Sequence, residues 1–596
     1  MEDLQKIYAE RAEKYAAAAQ ASEARYIRFS LLRLLSFIGG TAAVILLFAS
    51  VHWAAGVVGL AAFLLLFSRF ITWHGRVKTA AELQKNLTII NQRELTALRD
   101  GDFSAFADGA HFKDPTHPYT TDLDIFGAHG FFQYVNRTAS AVGAARLADY
   151  LRFSADPEEI KHRQAAVKEL RDLTDWRQTL QAVGLATKDD ISHVRELDKW
   201  LAEEPYISDN SLYRTLIILA PVFTLAALVL WVVYLPWYAA LLFFLPAGYA
   251  LKQTAERIGQ THYYTNRAEK ILTGYAAMIK QAEDQKFTSE KLLTLSAVFS
   301  LEHQKASEQI ERLSYIIGQL NLRNNFFAIF FNFVVLWDLK QVKALEKWRA
   351  ERRDLLPRWF AALAELEALN SLATAYYNNP DWTFPAVGTE TVVRAEAIGH
   401  PLIPAEKRIT NDIEIPTRGH LKLITGSNMA GKSTFMRTVG LNIVLAQIGA
   451  PVCAEHLSLP PLKVYTSMRT EDALHESTSS FYAELKRLKF IIEAVEKGEN
   501  IFFLLDEILK GTNSRDRHTG SKALIKQLIE AKGSGMIATH DLDLGGLEKE
   551  YGGAVENLRI EVEIRDKELF FDYKIKPGVS ESFNATILMQ QMGIKM

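Results

Sequence analysis

Two stretches of this chain run without Asp, Glu, Lys or Arg for longer than a soluble helix ordinarily goes without a polar stripe: Leu34 to Ser68, 35 residues, and Thr215 to Leu251, 37 residues. A membrane-crossing helix needs about 20 apolar residues, so each run is too long for one crossing and suits two, folded as a tight helical hairpin. The first should turn near His52 and Trp53, the second at Leu235-Pro236-Trp237. Arg25, Arg28 and Arg33 precede the first run and Arg69, Arg76 and Lys78 follow it. Arg214 precedes the second, and Lys252 and Arg257 follow it, while neither turn carries Lys or Arg. The bias of cationic residues toward the cytoplasm then predicts a multi-pass protein of the cytoplasmic (inner) membrane with both termini inside. The competing reading is greasy helices buried in a large soluble core. Phe326 to Trp337 is too short to span; its pattern predicts a buried core helix, with a helix lying at the membrane interface as the alternative.

The rest of the chain is divided by these runs. Residues 1–33 form a charged, alanine-rich N-terminal helix, and the late start of the apolar stretch does not fit a cleavable signal. The segment 78–210 reads as a cytoplasmic helical domain. From 252 to 384 the pattern is helical and nearly glycine-free, with long charged stretches, until Asn378-Asn379-Pro380 breaks it; a strand-bearing unit fills 385–596. With 596 residues and 48% hydrophobic side chains the chain is folded, not disordered. A net charge of −2 neither announces nor forbids nucleic acid, and the single Cys453 excludes an intrachain disulfide or a cysteine-based metal cluster.

The chemistry is concentrated in the last third. Leu421, Leu423 and Ile424 make a buried strand that breaks into Gly426, Ser427, Asn428, Met429, Ala430, Gly431, Lys432, Ser433, Thr434, and apolar residues at helical spacing continue to Ile448. This is G-x-x-x-x-G-K-S between strand and helix, a phosphate cradle: backbone N–H groups turn toward an anion, Lys432 reaches the β/γ-phosphates and Ser433 holds Mg²⁺. A second apolar run from Ile501 ends in Asp506, placed to hold Mg²⁺, and Glu507, placed to activate water as general base. A third strand-like run, Met536 to Ala538, leads to His540, expected at the same edge as a γ-phosphate sensor. The implied ligands are ATP and Mg²⁺.

GSNMAGKSTFMR, from Gly426, closely resembles the nucleotide loop of the MutS family of mismatch-repair ATPases, and DEILKGTNSRD, from Asp506, looks like its Asp-Glu segment. Glu476 to Glu484 is similar to the family's signature segment, Gly399-His400-Pro401 and Asn411-Asp412 to landmarks that precede its ATPase, and Tyr573 to Gly593 to its C-terminal helix. Asp122 to Leu170 looks like the start of its helical core. The resemblance implies an α/β P-loop (ABC-type) ATPase domain after a mostly α-helical core-like region, here carrying two transmembrane hairpins. It also implies a homodimer in which Ser479, Ser480 and Phe481 face the nucleotide of a partner, with 252–372 as levers toward DNA. No Phe-x-Glu wedge, the family's mismatch reader, stands before Lys78. Two functions stay open: a membrane-anchored ATPase that closes on DNA irrespective of sequence, and a mechanochemical membrane-remodelling or transport-related ATPase that has lost DNA.

Overall fold

The computed structural model describes residues 2–187, 191–234, 241–300, 304–324, 326–427, 430–469, 480–565 and 568–580, with positions 236 and 238. The chain opens with α1 (Glu2–Ser50) and α2 (Trp53–Asp100), an antiparallel pair joined across Val51-His52. Extended His52 closes the turn, its Nδ1 accepting the Ala54 N–H at 3.2 Å and so satisfying a donor left free at the helix start. The helices approach closely because glycines face rings: a Cβ on Gly40 would lie 2.2 Å from Phe63 and one on Gly56 2.4 Å from Phe48. Both helices run unbroken through residues 33 and 78, so the charged and apolar parts are one rod. At 49 and 48 residues and a rise of about 1.5 Å each is roughly 70 Å long, more than twice the ~30 Å of a hydrocarbon core.

Among the described residues three helices are long and apolar enough to cross a membrane: α1, α2 and the stretch Ser211–Trp231. The last belongs to α6 (Ser211–Val233), which follows α3 (Ala141–Arg152), α4 (Pro157–Asp172) and α5 (Thr174–Leu185). The fourth expected crossing is not among them. After a 3-10 turn at Leu241–Phe244, α7 (Leu245–Thr265) becomes charged from Lys252 onward, and residues 235 and 237 of the expected turn, with 239 and 240 after it, lie outside the described residues.

Then come α8 (Ala268–Asp284), α9 (Ala306–Asn321), α10 (Phe326–Val335), α11 (Trp337–Arg352) and α12 (Leu355–Asn378). Helix α12 is the axis of the helical body. Trp359, Leu363, Leu366, Leu369, Leu372 and Ala373 are all buried, and so are its acidic residues Glu365 and Glu367. Burying a carboxylate is tolerated only with donors around it. Glu367 has the N–H groups of Ala139 and Ser140 at the start of α3, at 2.6 and 3.1 Å, and Glu365 has Lys291 at 2.9 Å.

At its far end α12 meets the root of the N-terminal hairpin. The Tyr8 hydroxyl donates to Asn378 Oδ1 at 2.7 Å, and Asn378 Nδ2 donates to Glu94 Oε2 at 3.0 Å. Arg137 pairs with both oxygens of Glu94. Next in the chain, Asn379 accepts from the Tyr134 hydroxyl at 3.1 Å. Of the residues expected to break the helical pattern, Asn378 is thus the buried polar joint between hairpin and helical body.

That unit holds two sheets. The smaller has the order β1 (Ala386–Val387), β5 (His456–Leu459), β2 (Val392–Ile398), β3 (Asn411–Pro416). The larger runs β10 (Glu568–Pro577), β9 (Val555–Arg565), β4 (Leu421–Thr425), β8 (Ser534–Thr539), β7 (Ile501–Asp506), β6 (Lys463–Ser467), parallel except for the β9–β10 hairpin. Every residue of β4, β7 and β8 is buried, as parallel strands covered on both faces require. Helices α13 (Lys432–Ile448), α14 (Ser480–Glu496) and α15 (Ser514–Glu530) cover the sheet.

Helix α10 departs from the expected core helix. It packs on α6, whose Thr224 hydroxyl donates to Val334 O at 2.9 Å, yet Phe331 and Phe333 remain 50% and 40% exposed.

Candidate functional site

The register of the parallel strands builds the site. Ile424 lies opposite Ala538, and Ala538 opposite Asp506, so three carboxyl ends stop at one level and deliver Gly426, His540 and Glu507 to one edge. There the chain leaves β4, makes the loop and enters α13, whose first N–H groups and positive dipole end face the same space. Gly426 and Gly431 hold positive φ, 153° and 96°. A side chain would also collide: a Cβ at 426 lies 2.7 Å from Ile560 O, and one at 431 lies 2.9 Å from the Tyr573 ring. Ser427 and Ala430 lie in the loop and Thr434 in the first turn of α13; Asn428, Met429 and Ser479 lie outside the described residues.

Lys432 is buried and curls back over the loop, its Nζ donating to Gly426 O at 2.7 Å and Ser427 O at 2.9 Å. Burial pushes its pKa down to about 8, against the pull of Asp506 and Glu507. An ammonium held by two carbonyls is poorly hydrated, so an arriving phosphate oxygen supplies the missing charge.

Ser433 donates from its hydroxyl to Asp506 Oδ2, while Oδ1 of the buried Asp506 has no hydrogen-bond partner. A hydroxyl beside a half-satisfied carboxylate fits Mg²⁺, a hard cation that takes few protein oxygens and completes its shell with water and phosphate.

Glu507 stands at the centre of the remaining contacts. Its Oε1 is 2.7 Å from His540 Nε2 and its Oε2 is 3.0 Å from Lys510 Nζ. Burial works against the charge, but Lys510 and then His540 outweigh it, and the pKa falls below the ordinary carboxylate value. The group is ionised at neutral pH, as a base for water must be. His540 Nε2 also lies 3.3 Å from Lys432 Nζ, which can only donate; the shorter carboxylate contact requires the hydrogen on Nε2. Burial first, and Lys432 next, depress the His540 pKa, so the ring is neutral at pH 7. Glu507 itself has φ 45°, costly for a residue with a Cβ, and its N–H is fixed to Ala538 O at 3.0 Å.

Three further contributions are missed by motif reading, beside the placement of Phe481. Glu484 on α14 accepts the Leu509 N–H, so the helix that begins within the Glu476–Glu484 segment grips the turn after Glu507 within one chain. Phe481, expected to face a partner's nucleotide, is half-buried beside Gly511 of its own chain. Tyr573, also at positive φ and 45% exposed, stands beside Gly431 with its ring stacked on Phe571 at 5.8 Å. Asp122 accepts from Thr466 Oγ1 at 2.6 Å and from the Met468 and Arg469 N–H groups, and Asp124 pairs with Arg469, clamping the helical body to the ATPase sheet. Tyr573 and Glu484 fall inside stretches singled out from sequence; their contacts depend on chain paths that no spacing records.

Residues 422–591 match the protein family MutS domain V. Over 236 residues, 39% of this chain and 29% of the relative, the sequence is 31% identical to the DNA mismatch repair protein MutS of Thermotoga sp.. It is 34% identical over 233 residues, 38% and 27% of the two chains, to the DNA mismatch repair protein MutS of Carboxydothermus hydrogenoformans. MutS protein homolog 4 of Homo sapiens is 32% identical over 195 residues, 31% and 20% of the two chains. The chain thus spans less than a third of the length of these relatives. Its C-terminal part carries a MutS-type P-loop ATPase domain.

Proposed function

We propose that this chain is a membrane-anchored, MutS-like ATPase that binds and hydrolyses ATP with Mg²⁺ as a homodimer and couples the cycle to a sequence-independent grip on DNA. The observation that carries the ATPase reading is the meeting of Lys432, the Ser433–Asp506 pair and the Glu507–His540 pair at one sheet edge. Lys432 and the α13 N-terminus hold the phosphates, Glu507 takes the proton of the attacking water, and His540 orients Glu507 and reaches the terminal phosphate. Ser433 and Asp506 would hold Mg²⁺, which neutralises charge on the transferred phosphoryl group when bound. The DNA part rests on the mismatch-repair names of the relatives. Anchorage in the cytoplasmic membrane, with the ATPase inside, rests on the apolar helices and their cationic flanks.

A second reading, a mechanochemical membrane ATPase that acts without DNA, is favoured by the buried joint at Glu94 and Asn378, which ties the hairpin root to the end of α12. Fluorescence anisotropy of homoduplex, mismatched and four-way-junction DNA with the detergent-solubilised protein, with and without ATP at two salt concentrations, separates them. A sequence-independent grip on Z phosphates gives a log–log salt slope near −0.9Z on duplex and little mismatch preference. Absence of binding to all three at low salt decides for the second reading.

A further inference from the structure

We propose that α10 (Phe326–Val335) is an interfacial membrane helix, lying at the boundary between acyl chains and anionic headgroups beside α6; this rests on the membrane reading above. Its sequence FFAIFFNFVV has one polar side chain, and that one is occupied: Asn332 Oδ1 accepts the Asp338 N–H at 2.8 Å, capping the next helix. With ten residues and about 1.5 Å of rise each, it reaches roughly half of a hydrocarbon core, enough to lie in a bilayer surface and too little to cross.

Its neighbours are the apolar ones. Val334 O accepts from Thr224 halfway along α6, and Phe333 lies against Gly248 in the first turn of α7. Phe331 and Phe333 are exposed, as are Ile218, Val222, Leu225 and Val229 of α6, the helix on which α10 packs. A helix meant for a core would bury these rings; here they extend the apolar surface of a candidate span.

Where α10 ends, the chemistry changes as a bilayer boundary demands. Leu336 at φ 50° turns the chain sharply into α11. Trp337 follows with its indole N–H on Gln319 O at 3.0 Å. The exposed Lys340 ammonium stands 6.0 Å from that ring, and Arg323 pairs with Asp338 at 3.5 Å. A tryptophan backed by cations is the composition of the headgroup zone.

The test uses the full chain in vesicles of phosphatidylcholine and phosphatidylglycerol, with Cys453, the single cysteine, replaced by Ser, or by Ala if Ser does not fold. An environment-sensitive dye is placed at Phe331→Cys, and independently at Phe333→Cys. Leu65→Cys on α2, 70% exposed, is the lipid reference and Tyr315→Cys on α9, 66% exposed, the water reference. The expected result is loss of most emission at 331, 333 and 65 to a lipid-attached quencher, with iodide quenching only 315. Iodide quenching at 331 and 333 while 65 answers to lipid overturns the inference and leaves the membrane reading intact. Protection of 331 and 333 from both quenchers means another protein surface covers α10, which also overturns it. Failure of lipid to quench position 65 removes the membrane reading and this inference together.

Discussion

On the proposed mechanism Lys432 serves binding and Glu507 serves the chemistry. Lys432→Ala should weaken nucleotide binding, whereas Glu507→Gln should bind ATP and lose about 10²- to 10⁴-fold in turnover, the usual worth of a positioned general base; equilibrium binding and phosphate release measure the two separately. Normal hydrolysis by the Gln variant would take Glu507 out of its role. The position of Lys432 also sets a pH dependence. Its folded pKa is pushed down to about 8 by burial, so its charge is complete below that value and is lost as pH rises through it. Phosphate prefers the charged form, so the nucleotide Kd should rise above pH 8 by up to about tenfold per pH unit, the limit for one linked proton. Titrations at pH 7 and 9 measure this, and Lys432→Arg should flatten the profile because a guanidinium does not deprotonate in that range.

Among the elements, the contact of α1 and α2 with α12 is the one whose energetics can be isolated. Glu94 and Arg137 are both buried and paired; Asn378 also donates to Glu94, and the Tyr134 and Asn136 carbonyls also accept from Arg137. Glu94→Leu leaves a buried guanidinium without its carboxylate and should cost about 3–5 kcal/mol, while Glu94→Leu with Arg137→Met should recover part of that loss. Denaturant unfolding in detergent of the two single variants and the double closes the cycle. Equal losses in the single and double variants would mean that the ion pair is not the source of the effect. The continuity of α1 and α2 from this joint into their apolar halves makes them stiff rods, since each keeps its hydrogen-bonded ladder past residues 33 and 78.

For the whole molecule, the exposure of apolar side chains along α1 and α2, such as Leu65 at 70% and Leu66 at 72%, is far beyond what water tolerates. The protein should therefore stay with membranes through high salt and alkaline carbonate, which strip proteins held by charge, and leave only with detergent. Complete release by carbonate would return these helices to a soluble assembly. Dimerisation belongs to the same scale. Mixing Lys432→Ala chains with Ser479→Arg chains should restore part of the ATPase activity if a partner completes each site, and full activity of the Ser479→Arg chain alone would contradict the shared site.

Local signals were enough for the nucleotide loop, the Asp506-Glu507 strand end and His540, because each depends on short stretches whose strand and loop character is written in apolar runs and glycine spacing. The reversal at His52 was legible for the same reason: a charge-free run longer than one crossing has to turn. What only the tertiary structure decided are contacts between distant stretches. Glu484 reaches Leu509 across 25 residues, Asp122 reaches Thr466 across 344, and Tyr8 reaches Asn378 across 370. Helix α10 shows the limit most plainly. A ten-residue helix with one polar side chain satisfies a protein core or a bilayer surface, and the observations that bear on the choice are its neighbours, the candidate span α6 and the Trp337 corner, which composition does not encode.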